Sequence, residues 1–237
     1  MTPVLELQDV SAAYGPFRAL FGVTLTVARG EALALVGSNG AGKTTVARIA
    51  SGLVAPSLGA VVVDGVDLSG KRTHEFARAG VAHAPEGRSV FATLSVEENL
   101  ALAFRRLRGR RGVRAALDLA YEMFPVLGKR RDQTAGTLSG GEQRMLSMAR
   151  VLVEVPKVLV ADELSLGLAP IIVDEIYETL QRLRAEGTSL LIVEQHVTHA
   201  LRLCDRVAVL EHGCITWTGS TADADGVTRH LFTAATT

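Results

Sequence analysis

Two glycine-rich runs constrain this chain more than anything else in it: GSNGAGKTT at positions 37–45, and LSGGEQ, which begins at Leu138. The first fits G-x-x-x-x-G-K-[ST] and stands where its chemistry needs it, after the apolar segment Ala32 to Val36 and before a stretch of helical pattern. Gly37, Gly40 and Gly42 let the backbone approach phosphate oxygens, and the unpaired N–H groups of a new helix start point at the anion. A dinucleotide-binding loop fits less well, because these glycines are not spaced as G-x-G-x-x-G. The whole run, Gly37, Ser38, Asn39, Gly40, Ala41, Gly42, Lys43, Thr44 and Thr45, is the expected cradle for ATP. Lys43 places its ammonium on the β- and γ-phosphates, and the Thr44 hydroxyl is expected on Mg²⁺.

The apolar segment Val158 to Ala161 ends in Asp162-Glu163. Acids at the C-terminal end of a strand lie in the crevice where open α/β sheets bind ligands. Asp162 is expected to hold Mg²⁺ through water, and Glu163 to orient or deprotonate the attacking water. In the second run, Ser139 and Glu142 have capping-box spacing, and Gly140-Gly141 allow close backbone approach, so this helix start suits an anion as well. One phosphate cradle already serves one nucleotide. A second anion-binding helix start makes sense if it serves the nucleotide of a facing subunit.

Composition narrows the class. Lys and Arg number 25 and Asp and Glu 25, so bulk charge gives no reason to expect a nucleic-acid partner. The 48% hydrophobic fraction is high, yet no uninterrupted apolar run approaches the ~20 residues that cross a bilayer. Strands buried on both faces, ALALV at 32–36 and VLVA at 158–161, account for it. MTPVLELQDV has no basic region and reads as no secretory signal. Cys204 and Cys214 match no metal or redox spacing and are expected as buried small hydrophobes in a reducing, cytoplasmic setting.

Along the chain, the first 30 residues alternate apolar and polar positions, as half-exposed strands do, and AVVVDGVDL reads as a hairpin near Asp64-Gly65. From about Ser95 to Gln133 a helical lobe is expected, opened by a Ser95/Glu98 capping box and ended by Pro125 and Gly128. Arg105, Arg106, Arg108, Arg110, Arg111 and Arg114 lie within it without interleaved aromatics, so a solvated basic loop is expected rather than a nucleic-acid patch. Helix and strand then alternate from Leu138 to about residue 210. The expected fold class is α/β: a phosphate-loop core with a mostly parallel sheet, an N-terminal antiparallel β region and a helical lobe carrying LSGGEQ. One domain over 1–237 is expected, its helical subdomain at about 95–155.

With GSNGAGKTT, LSGGEQ, VLVADE and Asp205-Arg206 in this order, the chain resembles the ATP-binding cassette family over nearly its full length. The resemblance implies an ATPase in a head-to-tail dimer, homomeric or heteromeric, that clamps two ATP between phosphate loops and signature helices and drives membrane permease subunits. It implies that Tyr14 stacks on adenine and that Glu86 takes the place of a glutamine reaching Mg²⁺. PEGRSVF from Pro85, SVEENL, SLGLAPII and VEQ at 193–195 resemble the second ATPase of branched-chain amino-acid importers, which implies a solute-binding protein as an indirect partner and a place on the inner face of the plasma membrane. The family sets its γ-phosphate switch residue ten positions before the aspartate of the DR segment, which here is Gln195 rather than the adjacent His196. Leu164 stands where the family has proline after the catalytic acid, so a looser turn is expected there. Two other readings stay open: a soluble cassette ATPase acting on nucleic acid or ribosomes, and a nucleotide-gated subunit with little hydrolysis.

Overall fold

The computed structural model describes residues 2–223 and 226 apart from Arg88, Glu154 and His196, and leaves aside the side chains of residues 106–108, 110 and 197. Two sheets organise the chain. The first is antiparallel, in the order β2-β1-β4-β5, built from β1 (Pro3–Tyr14), β2 (Phe17–Ala28), β4 (Leu58–Val63) and β5 (Val66–Asp67). The expected hairpin at Asp64-Gly65 joins β4 to β5, with Val63 paired to Val66. The second sheet has the order β10-β9-β3-β8-β7-β6, from β3 (Ala32–Val36), β6 (Val81–Ala84), β7 (Val158–Asp162), β8 (Ser189–Glu194), β9 (Arg206–Glu211) and β10 (Cys214–Ser220). Five of its strands run parallel, and only β10 is antiparallel to its neighbour.

The central strands β3, β7 and β8 are apolar through their middles because the sheet is covered on both sides. Alternate residues of one strand belong to different cores. Leu33, Leu35, Val158, Val160, Leu191 and Val193 face α1 (Lys43–Ala50) and the antiparallel sheet. Ala34, Val36, Leu159, Ala161, Leu190 and Ile192 share the opposite core with helices that include α3 (Val96–Met123), α5 (Gly140–Leu152) and α6 (Pro170–Ala185). A single-residue slip of β3 would exchange its two faces, so this double burial pins the register that places the loop after Val36.

The helical lobe begins as its sequence predicts. Ser95 Oγ accepts from the Glu98 amide at 3.1 Å, and the Glu98 carboxylate accepts from the Ser95 amide at 2.7 Å. Three features differ from expectation. The arginines from 105 to 114 lie on α3, not on a loop; the helix is interrupted at Gly109, whose φ of 66° and ψ of 178° an L-residue with a side chain rarely adopts. Pro125 opens α4 (Pro125–Lys129) at its first turn, where no N–H is needed, and Gly128 falls within it. Cys204 is buried, with its thiol pushed up to about 12 chiefly by burial, but Cys214 is exposed. The structure adds α2 (Thr73–Ala79) and β10, and places α7 (Val197–Leu203) between β8 and β9.

Candidate active site

The run at 37–45 forms the connection from β3 to α1. Gly42 is the residue before the helix, at φ 106°, and a Cβ there would meet Leu20 Cδ2 at 2.8 Å and Ala19 O at 2.9 Å. Only glycine fits, both for the conformation and for the approach of β2. Because Gly42 has no side chain, it caps nothing; α1 begins without a side-chain cap hydrogen bond and without an acid in its first turn. Its positive end is thus left open on the side of the loop, which is the arrangement that receives phosphate. Ser38, Asn39 and Gly40 are exposed, Ala41 and Thr45 are buried, and Lys43 is buried with its ammonium donating to the carbonyls of Gly37 and Ser38, both at 3.0 Å.

Across from this helix start stands the end of β7. Asp162 is 1% exposed, and the Thr44 hydroxyl lies 3.5 Å from its Oδ1. The Lys43 ammonium is 3.7 Å from Glu163 Oε1. Burial first, then the Glu163 and Glu86 carboxylates, push Asp162 up to about 6. The Thr44 hydroxyl, the buried Asp162 and the part-buried Glu163, collected at the mouth of an open helix start, form a hard-oxygen donor set with surplus negative charge, which fits Mg²⁺ accompanying a polyphosphate. Glu86 is exposed beyond β6 and lines, with Gly140 and Glu163, a cavity of about 150 Å³.

The start of α5 has a different finish. Ser139 Oγ accepts from the Glu142 amide at 3.3 Å, Glu142 accepts from the Ser139 amide at 2.8 Å, and Arg130 pairs with Glu142 at 2.7 Å. Gly141 is small for a packing reason, since a Cβ would meet Ile172 of α6 at 2.9 Å. Among the described residues, no hydrogen bond or ion pair joins Ser139, Gly140, Gly141 or Glu142 to the phosphate loop. Tyr14 is 44% exposed at the end of β1, in register with Phe17, on the hairpin that leads to the Ala19–Leu20 contact with Gly42. Gln195 is exposed just after β8, and His196 lies outside the described residues.

Two residues of this corner have no counterpart in the sequence reading. Arg144, 4% exposed on α5, donates through Nη1 to the carbonyls of Pro85 and Gly87 and through Nη2 to those of Asp162 and Glu163. Glu194, 1% exposed at the end of β8, accepts from the Ser165 amide at 3.0 Å, the Ser165 hydroxyl at 2.8 Å and the Tyr177 hydroxyl at 3.3 Å. Burial raises its pKa despite these bonds. One signal for Glu194 was available: an acid closing an otherwise apolar strand, SLLIVE, needs buried partners.

The family model described as "ABC transporter" matches residues 20–165, more than half of the chain. The chain belongs to the ABC transporter family. Its cassettes are ATPases coupled to transport. Among curated relatives, the chain is 42% identical to the high-affinity branched-chain amino acid transport ATP-binding protein BraG of Pseudomonas aeruginosa, covering 90% of this chain and 91% of that one. It is 34% identical to the probable branched-chain amino acid transport ATP-binding protein LivF of Archaeoglobus fulgidus, covering 92% of each. It is also 34% identical to the lipopolysaccharide export system ATP-binding protein LptB of Escherichia coli K12, covering 88% and 87%. A solved ATP-binding subunit of an ABC transporter superimposes with a TM-score of 0.85 at 28% identity, over 99% of this chain and 100% of that one. Among the described residues, no helix is long and apolar enough to cross a membrane.

Proposed function

We propose that this ABC ATPase powers a membrane importer for branched-chain amino acids or related amino acids and amides. The observation that carries the hydrolytic part is the meeting of Lys43, Thr44, Asp162 and Glu163 at the open start of α1. The 42% identity to BraG over nearly both lengths supports the solute class above the 34% identity to an export protein.

In this reading the loop amides and Lys43 hold the β- and γ-phosphates, while Thr44, Asp162 and Glu86 hold Mg²⁺. The bound metal supplies neutralisation of charge on the transferred phosphoryl group. Glu163 takes the proton of the water that attacks the γ-phosphorus as the bond to ADP breaks. Tyr14 stacks on adenine, and Gln195 donates an amide hydrogen bond to the γ-phosphate without adding charge. Gly140 and its helix start serve the nucleotide of a second cassette subunit, identical or not. Membrane permeases dock beside Glu86 at the inner face of the plasma membrane, and a solute-binding protein delivers substrate to them.

The hydrolytic part is tested with Glu163→Gln, which keeps the size of the acid but removes its basicity. Steady-state hydrolysis is expected to fall at least about 100-fold while nucleotide affinity stays within about threefold; a mutant that turns over near the parent rate removes Glu163 from the role. The import part is tested by purifying the chain with its permeases from native membranes and measuring ATPase activity in proteoliposomes. Stimulation by a binding protein loaded with a branched-chain amino acid is expected, whereas stimulation by lipopolysaccharide or nucleic acid would move the chain to another function.

A further inference from the structure

The turn that carries Glu163 is held without proline. Glu163 has φ 46°, in the left-handed region where an L-residue stays only if its surroundings hold it there. Leu164 follows, 1% exposed, packed in the core that the helical lobe shares with the sheet. On the near side of Leu164, the Arg144 guanidinium reaches the carbonyl of Asp162 at 3.1 Å and that of Glu163 at 3.4 Å. On the far side, the Glu194 carboxylate takes both the amide and the hydroxyl of Ser165. The turn is therefore gripped on both flanks by buried charged groups, and bonds to charged groups are the stronger kind.

Arg144 does more than hold the turn. Its other terminal nitrogen donates to the carbonyls of Pro85 and Gly87, the residues flanking Glu86. A single planar fork thus fixes the peptides beside Glu86 and beside Glu163 relative to each other, and it is carried on α5, five residues after Ser139. No carboxylate lies within ion-pair distance of it among the described residues, although Glu194, Asp162 and Glu86 all act on its charge from farther off. A lysine could not reproduce this, because it offers one point of attachment where four carbonyls in two segments are served.

We propose that Arg144 is a positioning residue for Glu163: with Glu194 it does what the missing proline would do, and because it is carried on α5 it makes the aim of Glu163 depend on where the helical lobe stands. The proposal rests on the base role given to Glu163 above. It does not touch substrate itself; it acts through the peptide planes on either side of the acid.

The test uses the full chain with Arg144→Gln and Arg144→Lys. Amide hydrogen exchange needs no nucleotide and reads the grip directly. In R144Q, exchange across residues 163–168 and at Glu86 and Gly87 should rise at least about tenfold, while β3 and β8 stay as protected as in the parent. R144K should lie between. In ATPase assays, R144Q should lower kcat at least about tenfold with KM within about twofold, the pattern of a misaimed group rather than of lost binding. An exchange pattern in the turn equal to the parent's, or one that rises uniformly over the whole sheet, overturns the proposal, as does a kcat equal to the parent's in R144Q. Should R144Q fail to fold, the R144K exchange map decides by the same criteria. If the parent itself hydrolyses no ATP, the proposed function falls, and the exchange maps still decide whether Arg144 holds the turn.

Discussion

Two helices begin near the centre of this molecule, and they begin in opposite ways. At α1 the residue before the helix is Gly42, there is no side-chain cap, and the first turn has no acid. At α5 the Ser139/Glu142 box closes on itself, and Arg130 covers the remaining oxygen of Glu142. The same four orphan N–H groups and the same partial positive charge exist at both ends. What differs is who satisfies them. At α1 the protein abstains, and an external anion is the natural partner. At α5 the protein has already supplied most of the answer, so this end can meet a ligand only through what Gly140 leaves exposed. An open start suits a resident phosphate, and a closed one suits a contact that forms and breaks.

The largest expected effect comes from attacking the open end. Lys43→Ala removes the only ammonium held in the loop, so nucleotide affinity should fall at least about tenfold in a fluorescence titration with Mg²⁺. Unchanged affinity would mean that the open start does not receive phosphate, and the contrast would lose its meaning. Asp162→Asn probes the charge facing that start. Because the folded protein raises this carboxyl from 3.8 to about 6, ionising it opposes folding. The cost is absent below pH about 4, grows as pH rises toward about 6, and is constant above. Asp162→Asn should therefore stabilise the nucleotide-free protein by on the order of 2 kcal/mol at pH 7.5 and by almost nothing at pH 4. Denaturant midpoints at the two pH values check this, and equal gains at both would dismiss burial of charge as the cause.

Smaller effects belong to the closed end and the rim. Ser139→Ala should lower stability by about 1 kcal/mol in urea unfolding, because it removes the oxygen that accepts from the Glu142 amide, while the amide of residue 139 keeps its bond to the Glu142 carboxylate. Saturating Mg·ATP should supply a comparable or larger increment at α1, about 2.7 kcal/mol at 100 times Kd. A loss at Ser139 that vanishes when nucleotide is present would show that both ends serve one bound molecule. Last, Gln195→Ala should slow hydrolysis several-fold more than His196→Ala in the assembled transporter; the reverse order would shift the γ-phosphate contact by one residue.

How far these features can be read from the sequence depends on how local their causes are. The phosphate loop and both capping boxes involve residues a few positions apart, so spacing alone predicts them at Gly42–Thr44, Ser95–Glu98 and Ser139–Glu142. β3 and β7 are legible because a strand covered on both faces shows a continuous apolar run, ALALV in one and VLVA ahead of Asp162 in the other. β10 is not, since CITWTGS never becomes fully buried and sits at the sheet edge. α2 is a seven-residue helix with Phe76 as its one buried side chain, too short to display a period. Arg144 was invisible for a different reason. Its partners are backbone carbonyls as far as 59 residues away, and carbonyls carry no sequence identity. The turn at Leu164 is hard to judge from sequence for the same reason, because the bonds that flank it come from α5 and β8.

The buried Lys43 ammonium, tied to the carbonyls of Gly37 and Ser38, carries one more consequence. The loop is moored to its own cation. Its shape is set when the chain folds, and an arriving nucleotide has little disorder to quench. Binding to such a rigid receptor is expected to need no slow rearrangement of residues 37–45, so that encounter is limited by diffusion and docking while residence time carries the differences between nucleotides.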